Sequence, residues 1–131
     1  MARTPDDLKV MALPKGCENA PRKQVIADFL IAVYQRDVDA VSVLLHDDVQ
    51  WEIVGSSKLV GVKHVGDWVT RQQPVVKLEL ATVITHGTEC AADGSIVHSN
   101  GSTTRFSHML VFAGHSKTAP IRRLRSYLIA D

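Results

Sequence analysis

Residues 75–112, VVKLELATVITHGTECAADGSIVHSNGSTTRFSHMLVF, decide the fold. From Val75 onward the pattern alternates, as it does along a strand whose successive side chains point to opposite faces. Val76, Leu78, Leu80, Thr82, Ile84 and His86 fall on one face, and Lys77, Glu79, Ala81, Val83 and Thr85 on the other. Asn100-Gly101 is a two-residue hairpin signal that joins a strand around 88–98 to one around 103–113. Asp93-Gly94 reads either as a second tight turn or as a glycine bulge in one long strand. The bulge is preferred, because a turn there leaves strands of only about five residues on each side. Within RFSHMLVF (105–112), His108 shares a face with Phe106, Leu110 and Phe112. A final strand over 120–129 opens on Pro120, where a missing N–H is tolerated.

Upstream the period changes. Val25, Ile26, Phe29, Leu30 and Val33 recur at helical spacing, with Asn19 as a candidate N-cap and Pro21 in the first turn. Asp37 can cap a second, shorter helix with Val38, Val41, Leu44 and Leu45 as its apolar stripe. HDD (46–48) reads as a polar turn. In VQWEI (49–53), Val49, Trp51 and Ile53 alternate with Gln50 and Glu52, a half-buried strand. VGSSKLVG (54–61) reads as a loop of small residues, and VKHVGDWVTRQQ (62–73) as a helix carrying Val62, Val65, Trp68 and Val69, stopped by Pro74. Residues 1–18 show no period and are expected to form a flexible arm ahead of a single domain, 19–131. Helices first and strands last argue an α+β domain, its helices packed on one face of a curved antiparallel sheet. Such a sheet is expected to enclose a pocket against the helices.

Composition narrows the function classes. The 131 residues are one domain's worth, and apolar residues at 45% with charged residues at 22% are ordinary globular usage. A net charge of +1 creates no field that would favour nucleic acid or an anionic membrane. RRLR (122–125) splits its arginines between two faces of a strand and makes no one-sided basic stripe. No apolar run approaches the roughly 18 residues of a spanning helix, and MARTPDDLKVMALPKG lacks an apolar export core. Cys17 and Cys90 form neither a C-x-x-C pair nor a disulfide framework. A reduced, cytoplasmic protein is the expectation.

The helix pair ending RDVDAVSVLLHDDVQWEIVG (36–55), the glycine-flanked third helix and the closing IRRLRSYLIAD (121–131) resemble the nuclear transport factor 2-like superfamily. The nearest named branch is the SnoaL-like group of small bacterial proteins. The resemblance spans about residues 20–130 and is specific for fold rather than chemistry. It implies a cone of antiparallel strands wrapped around a long helix (a cystatin-like α+β barrel) and a homodimer through the outer sheet face. Members include isomerases, polyketide cyclases, dehydratases, epoxide hydrolases and proteins without chemistry. Ketosteroid isomerases have a carboxylate base just after the position matching Glu52, where this chain has Ile53, and an oxyanion tyrosine at the position of Phe29. Proton transfer by that route lacks both groups. The two aspartates bridged by an arginine that limonene epoxide hydrolase-like members use have no counterpart among Glu79, Glu89, Asp93 and Asp131.

His108 is then the foremost titratable candidate, at a strand position where the resemblance implies a cavity-facing aspartate. An imidazole there could act as general base or acid, or simply be a satisfied core group. Phe29, Trp51, Trp68, His86, Phe106, Leu110, Phe112 and Tyr127 are the expected ligand contacts. Trp51 could stack on a planar ligand, and Tyr34 or Tyr127 could offer a hydroxyl. His46, His64, His98 and His115 read as surface groups. No H-E-x-x-H, close His pair or Cys/His spacing suggests a metal, and no cofactor is implied. The expected function is binding of a small hydrophobic molecule in an apolar pocket. The alternative is a cofactor-independent isomerase, cyclase or dehydratase using His108 on a small hydrophobic carbonyl substrate.

Overall fold

The computed structural model describes residues 6–12 and 20–131. In chain order these form β1 (Lys9–Ala12), α1 (Pro21–Tyr34), α2 (Val38–Val43), β2 (Leu45–Ile53), β3 (Ser57–Val60), α3 (Val62–Thr70), β4 (Val75–His86), β5 (Glu89–His98), β6 (Thr103–Phe112) and β7 (Ile121–Ala130). The described strands make one sheet in the order β1-β4-β5-β6-β7-β2-β3. As expected, β4 to β7 form an antiparallel meander. On either side of the meander the next strand is parallel: β2 runs alongside β7, and β1 alongside β4.

Helix α1 lies inside the curl of this sheet, which is why its apolar residues do not stop at one stripe. Ile26, Ala27, Phe29, Leu30, Ala32 and Val33 are all buried, and they join the inward residues of every long strand in one core. Its N-cap is Ala20, with no side-chain bond, and Pro21 opens the first turn. The expected cap Asn19 lies outside the described residues. Asp37 caps α2 as anticipated, accepting a bond from the Ala40 N–H at 3.2 Å. Between the two helices Arg36 takes a left-handed backbone, φ 54°, a position usually given to glycine. Its side chain offsets that strain. The guanidinium bonds the Asp6 carboxylate at 2.6 Å through Nε, and the Thr70 and Gln72 carbonyls at 3.3 and 3.1 Å through Nη1.

Several local expectations are corrected. Within the segment read as an arm, Lys9–Ala12 is the strand β1 on the edge of β4. Residues 57–60 are not loop but β3, which pairs with β2 as a hairpin. His46, Asp47 and Asp48 belong to β2, in a stretch where its register against β7 slips.

The largest correction concerns β4. The irregularity expected at Asp93-Gly94 sits on the opposite strand: Val76 and Ala81 are each an extra residue against β5, whose own pairing with β6 is unbroken. Each bulge advances the alternation by one residue. Leu78 and Leu80 point inward, but beyond Ala81 the buried residue is Val83, and Ile84 and His86 are exposed. Gly94 faces the second bulge. A Cβ there would lie 2.0 Å from the Glu79 carbonyl oxygen and 2.9 Å from the Phe106 ring.

Candidate functional site: a neutral polar chain at a cavity

On β6 the expected alternation holds. Phe106, His108, Leu110 and Phe112 all point inward and are buried. His108 is 1% exposed, so a polar ring in such a core needs partners for both nitrogens. Three elements supply them. Directly across on β7 is Ser126, itself fully buried, whose Oγ lies 2.6 Å from His108 Nδ1. The last residue of α1, Tyr34, places its hydroxyl 2.7 Å from His108 Nε2. On the far side of β7 is β2, from which the Trp51 Nε1–H donates to Ser126 Oγ at 2.8 Å. The result is a continuous chain: Tyr34, His108, Ser126, Trp51.

Aromatic rings frame it. Phe106 stacks on the His108 ring at 4.8 Å between centroids, Tyr34 tilts against Phe106 at 5.5 Å, and Trp68 against Trp51 at 5.2 Å. A cavity of about 300 Å³ opens along this chain. Tyr34, Trp51, His108 and Ser126 line it together with Trp68, Val33 and Ile96, while Gln72, His98, Thr104, Leu128 and Ala130 also contribute to its wall. His98 Nε2 lies 2.9 Å from the Thr104 hydroxyl.

Burial sets the charge state. The His108 pKa is held down to about 3, because the imidazolium would lose its water shell. Burial likewise pushes the Tyr34 phenol well above its ordinary range. Both groups are neutral across the physiological range. No aspartate or glutamate lines the cavity. Among the described residues no cluster of three or more His, Cys, Asp or Glu side chains could hold a metal ion. No helix among them is long and apolar enough to cross a membrane.

Of the residues singled out from sequence, Trp51, Trp68 and His108 line the cavity. Phe29, Phe106, Leu110 and Phe112 are buried core beneath or beyond its wall; Phe112 lies under the Arg22 guanidinium, 4.0 Å from ring centroid to Cζ. His86 and Tyr127 are exposed and are absent from the wall, His86 because of the Ala81 bulge and Tyr127 because Ser126 takes the inward position beside it. His98, read as a surface group, belongs to the wall. Ser126 is not among the expected site residues, although a serine at an inward position, two residues from Leu124, is a readable signal. Tyr34 reads from sequence only as a hydroxyl without an assigned partner, because that partner stands 74 residues away.

No family model matches this chain, and no curated protein does either. Solved structures do. An NTF2-like protein of unknown function from Burkholderia xenovorans LB400 superposes with a TM-score of 0.74 at 14% identity, covering 88% of each chain. A protein from Shewanella denitrificans OS-217, provisionally described as a SnoaL-like polyketide cyclase, gives 0.68 at 11% identity over 81% of this chain and 88% of that one. An LEH-like epoxide hydrolase of M. tuberculosis gives 0.60 at 22% identity over 80% of each. The chain has the nuclear transport factor 2-like fold: a mixed α+β domain with a curved, unclosed sheet of seven described strands. These neighbours differ in the activities attributed to them, so the likeness settles architecture alone.

Proposed function

We propose that the protein binds a small, predominantly hydrophobic molecule in the cavity bordered by Tyr34, His108, Ser126 and Trp51. The observation that carries this reading is a cavity of about 300 Å³ whose deepest polar groups are neutral and bonded to one another. That volume is at the lower end of the range for small-molecule sites, about 300–1,000 Å³. Against His108 as a general base stand its occupied nitrogens and its low basicity, since a base works best with a pKa near the working pH. The reading therefore assigns the imidazole to holding other groups in place.

Trp51 and Trp68 are built-in reporters of the test. A cyclic ketone or arene that enters should alter their fluorescence, and at a concentration of 100 times Kd it should raise stability by about 2.7 kcal/mol. Ala130→Trp, at an exposed and small position of the wall, should abolish both responses without unfolding the protein. Responses that persist in this variant would place the ligand elsewhere.

We further propose a cytoplasmic homodimer joined through the outer sheet face. Cys90 is a free, buried thiol, in keeping with a reducing compartment. Val60, Met109, Tyr127 and Ile129 are exposed apolar side chains on β3, β6 and β7, at 63%, 38%, 40% and 65%, and such an interface would cover them. Ile129→Glu with Val60→Lys should convert a dimer to a monomer in sedimentation velocity. An unchanged sedimentation coefficient would remove this face from the interface.

A further inference from the structure

The proton order within the buried chain can be read from one fixed donor. Trp51 Nε1 only donates, so Ser126 Oγ must accept from it. Two arrangements then remain. If His108 carries its proton on Nδ1, that N–H also points at Ser126, and the Ser126 proton is left with no acceptor. Ser126 borders the cavity but is 0% exposed, against 8% for Tyr34, and has no further side-chain bond, so this arrangement leaves its hydroxyl proton unmet. In the other arrangement Ser126 donates to His108 Nδ1, the His108 proton sits on Nε2 and goes to the Tyr34 oxygen, and the Tyr34 proton is left over. Tyr34 lines the cavity, where water or a ligand can take that proton. The greater exposure of Tyr34 favours the second arrangement.

We infer that Ser126, held in place by Trp51, is a positioning residue that fixes the Nε2–H tautomer of His108, so that the buried chain presents the O–H of Tyr34 to the cavity, beside the other polar groups of the wall, Arg36, Gln72, Gln73, His98 and Thr104. This rests on the ligand-binding reading above and narrows it to ligands carrying a neutral acceptor, such as a ketone, ester or amide carbonyl. Each bond in the chain polarises the next, which makes the terminal O–H a better donor than an isolated phenol. Burial keeps both Tyr34 and His108 uncharged, so the chain offers no anion to a cationic amine.

Two measurements test it, and they fail separately. In ¹⁵N-labelled protein without ligand, long-range ¹H–¹⁵N correlation spectra report which His108 nitrogen is protonated. Wild type should show the Nε2–H form alone. Ser126→Ala should show a mixture, because Nδ1 loses its donor, and Ser126→Thr, which keeps the hydroxyl, should retain the Nε2–H form. An Nδ1–H ring in wild type, or a ratio unmoved in folded Ser126→Ala, overturns the proton order whether or not anything binds. The second measurement compares 1-tetralone with its same-shaped hydrocarbon, 1-methylenetetralin. Wild type should prefer the ketone by about tenfold, and Tyr34→Phe should erase the preference. A preference that survives Tyr34→Phe overturns the role given to its hydroxyl. If neither compound binds, the ligand-binding reading falls with the ligand class inferred from it, while the spectrum still decides the proton order.

Discussion

Gly94→Ala should lower the unfolding free energy by about 3 kcal/mol or more, the upper range for overpacking, and a large share of a domain's stability of about 5–15 kcal/mol. The new methyl would stand 2.0 Å from the Glu79 carbonyl oxygen and 2.9 Å from the Phe106 ring. Neither can yield freely. The carbonyl belongs to backbone beside the Ala81 bulge, and Phe106 is stacked on His108. Relief requires β4 to leave β5, or the ring to leave the site. Gly101→Ala is the matched control. Its φ of 90° strains an alanine, but nothing lies within 4 Å of the new methyl, so it should cost only about 1–2 kcal/mol. Urea titration of both variants measures the difference. Equal losses would show that β4 and β5 adjust to the added carbon and that the close approach does not constrain the strand pair.

Acid should weaken the fold through His108. The folded pKa, about 3, lies below the ordinary value of 6.5, so between these limits the unfolded chain binds a proton that the native chain refuses. Above pH 6.5 the ring is neutral in both states and the contribution is fully present. It is lost as pH falls from 6.5 toward 3, with a slope of about 1.4 kcal/mol per pH unit and a total on the order of 4–5 kcal/mol. Carboxylates add their own dependence, so the informative quantity is the difference from His108→Gln, which cannot titrate there. Wild type and this variant should diverge in slope by one proton's worth between pH 6 and 4. Parallel curves would mean that the folded protein opens far enough for the ring to take its proton without unfolding.

What the sequence disclosed, and what it withheld, follow from the range of the forces involved. The strand alternation around His108 is local, and it placed Phe106, Leu110 and Phe112 beside it on the inner face as observed. The helices around Phe29 and Trp68 declared themselves by period, and Asp37 by its capping chemistry. The bulges in β4 left no such mark. Ala81 is an ordinary strand residue, and only the pairing of its neighbours with Gly94 and Asp93 shows it to be surplus, which is why simple alternation puts His86 on the wrong face. Strand β3 hid in SSKLV because its order comes from pairing with β2 rather than from its own composition. Ser126 and Tyr34 became part of the site through partners 18 and 74 residues away, a separation over which one sequence alone has no pattern to show.

The parallel pairing of β2 with β7 has a consequence in time. Trp51 meets Ser126 across 75 residues of chain, and Tyr34 meets His108 across 74, so neither contact belongs to any hairpin that could form early. The meander from β4 to β6 can assemble from neighbouring segments, whereas β2, which finds only β3 nearby, must wait for β7 before it joins the rest of the sheet. Closing such distant contacts costs chain entropy before it returns any stabilisation, and folds built on them form slowly. During synthesis β2 and its tryptophan are made long before their partner strand. The polar chain is therefore among the last features to close, and the cavity acquires its chemistry only when folding is essentially complete.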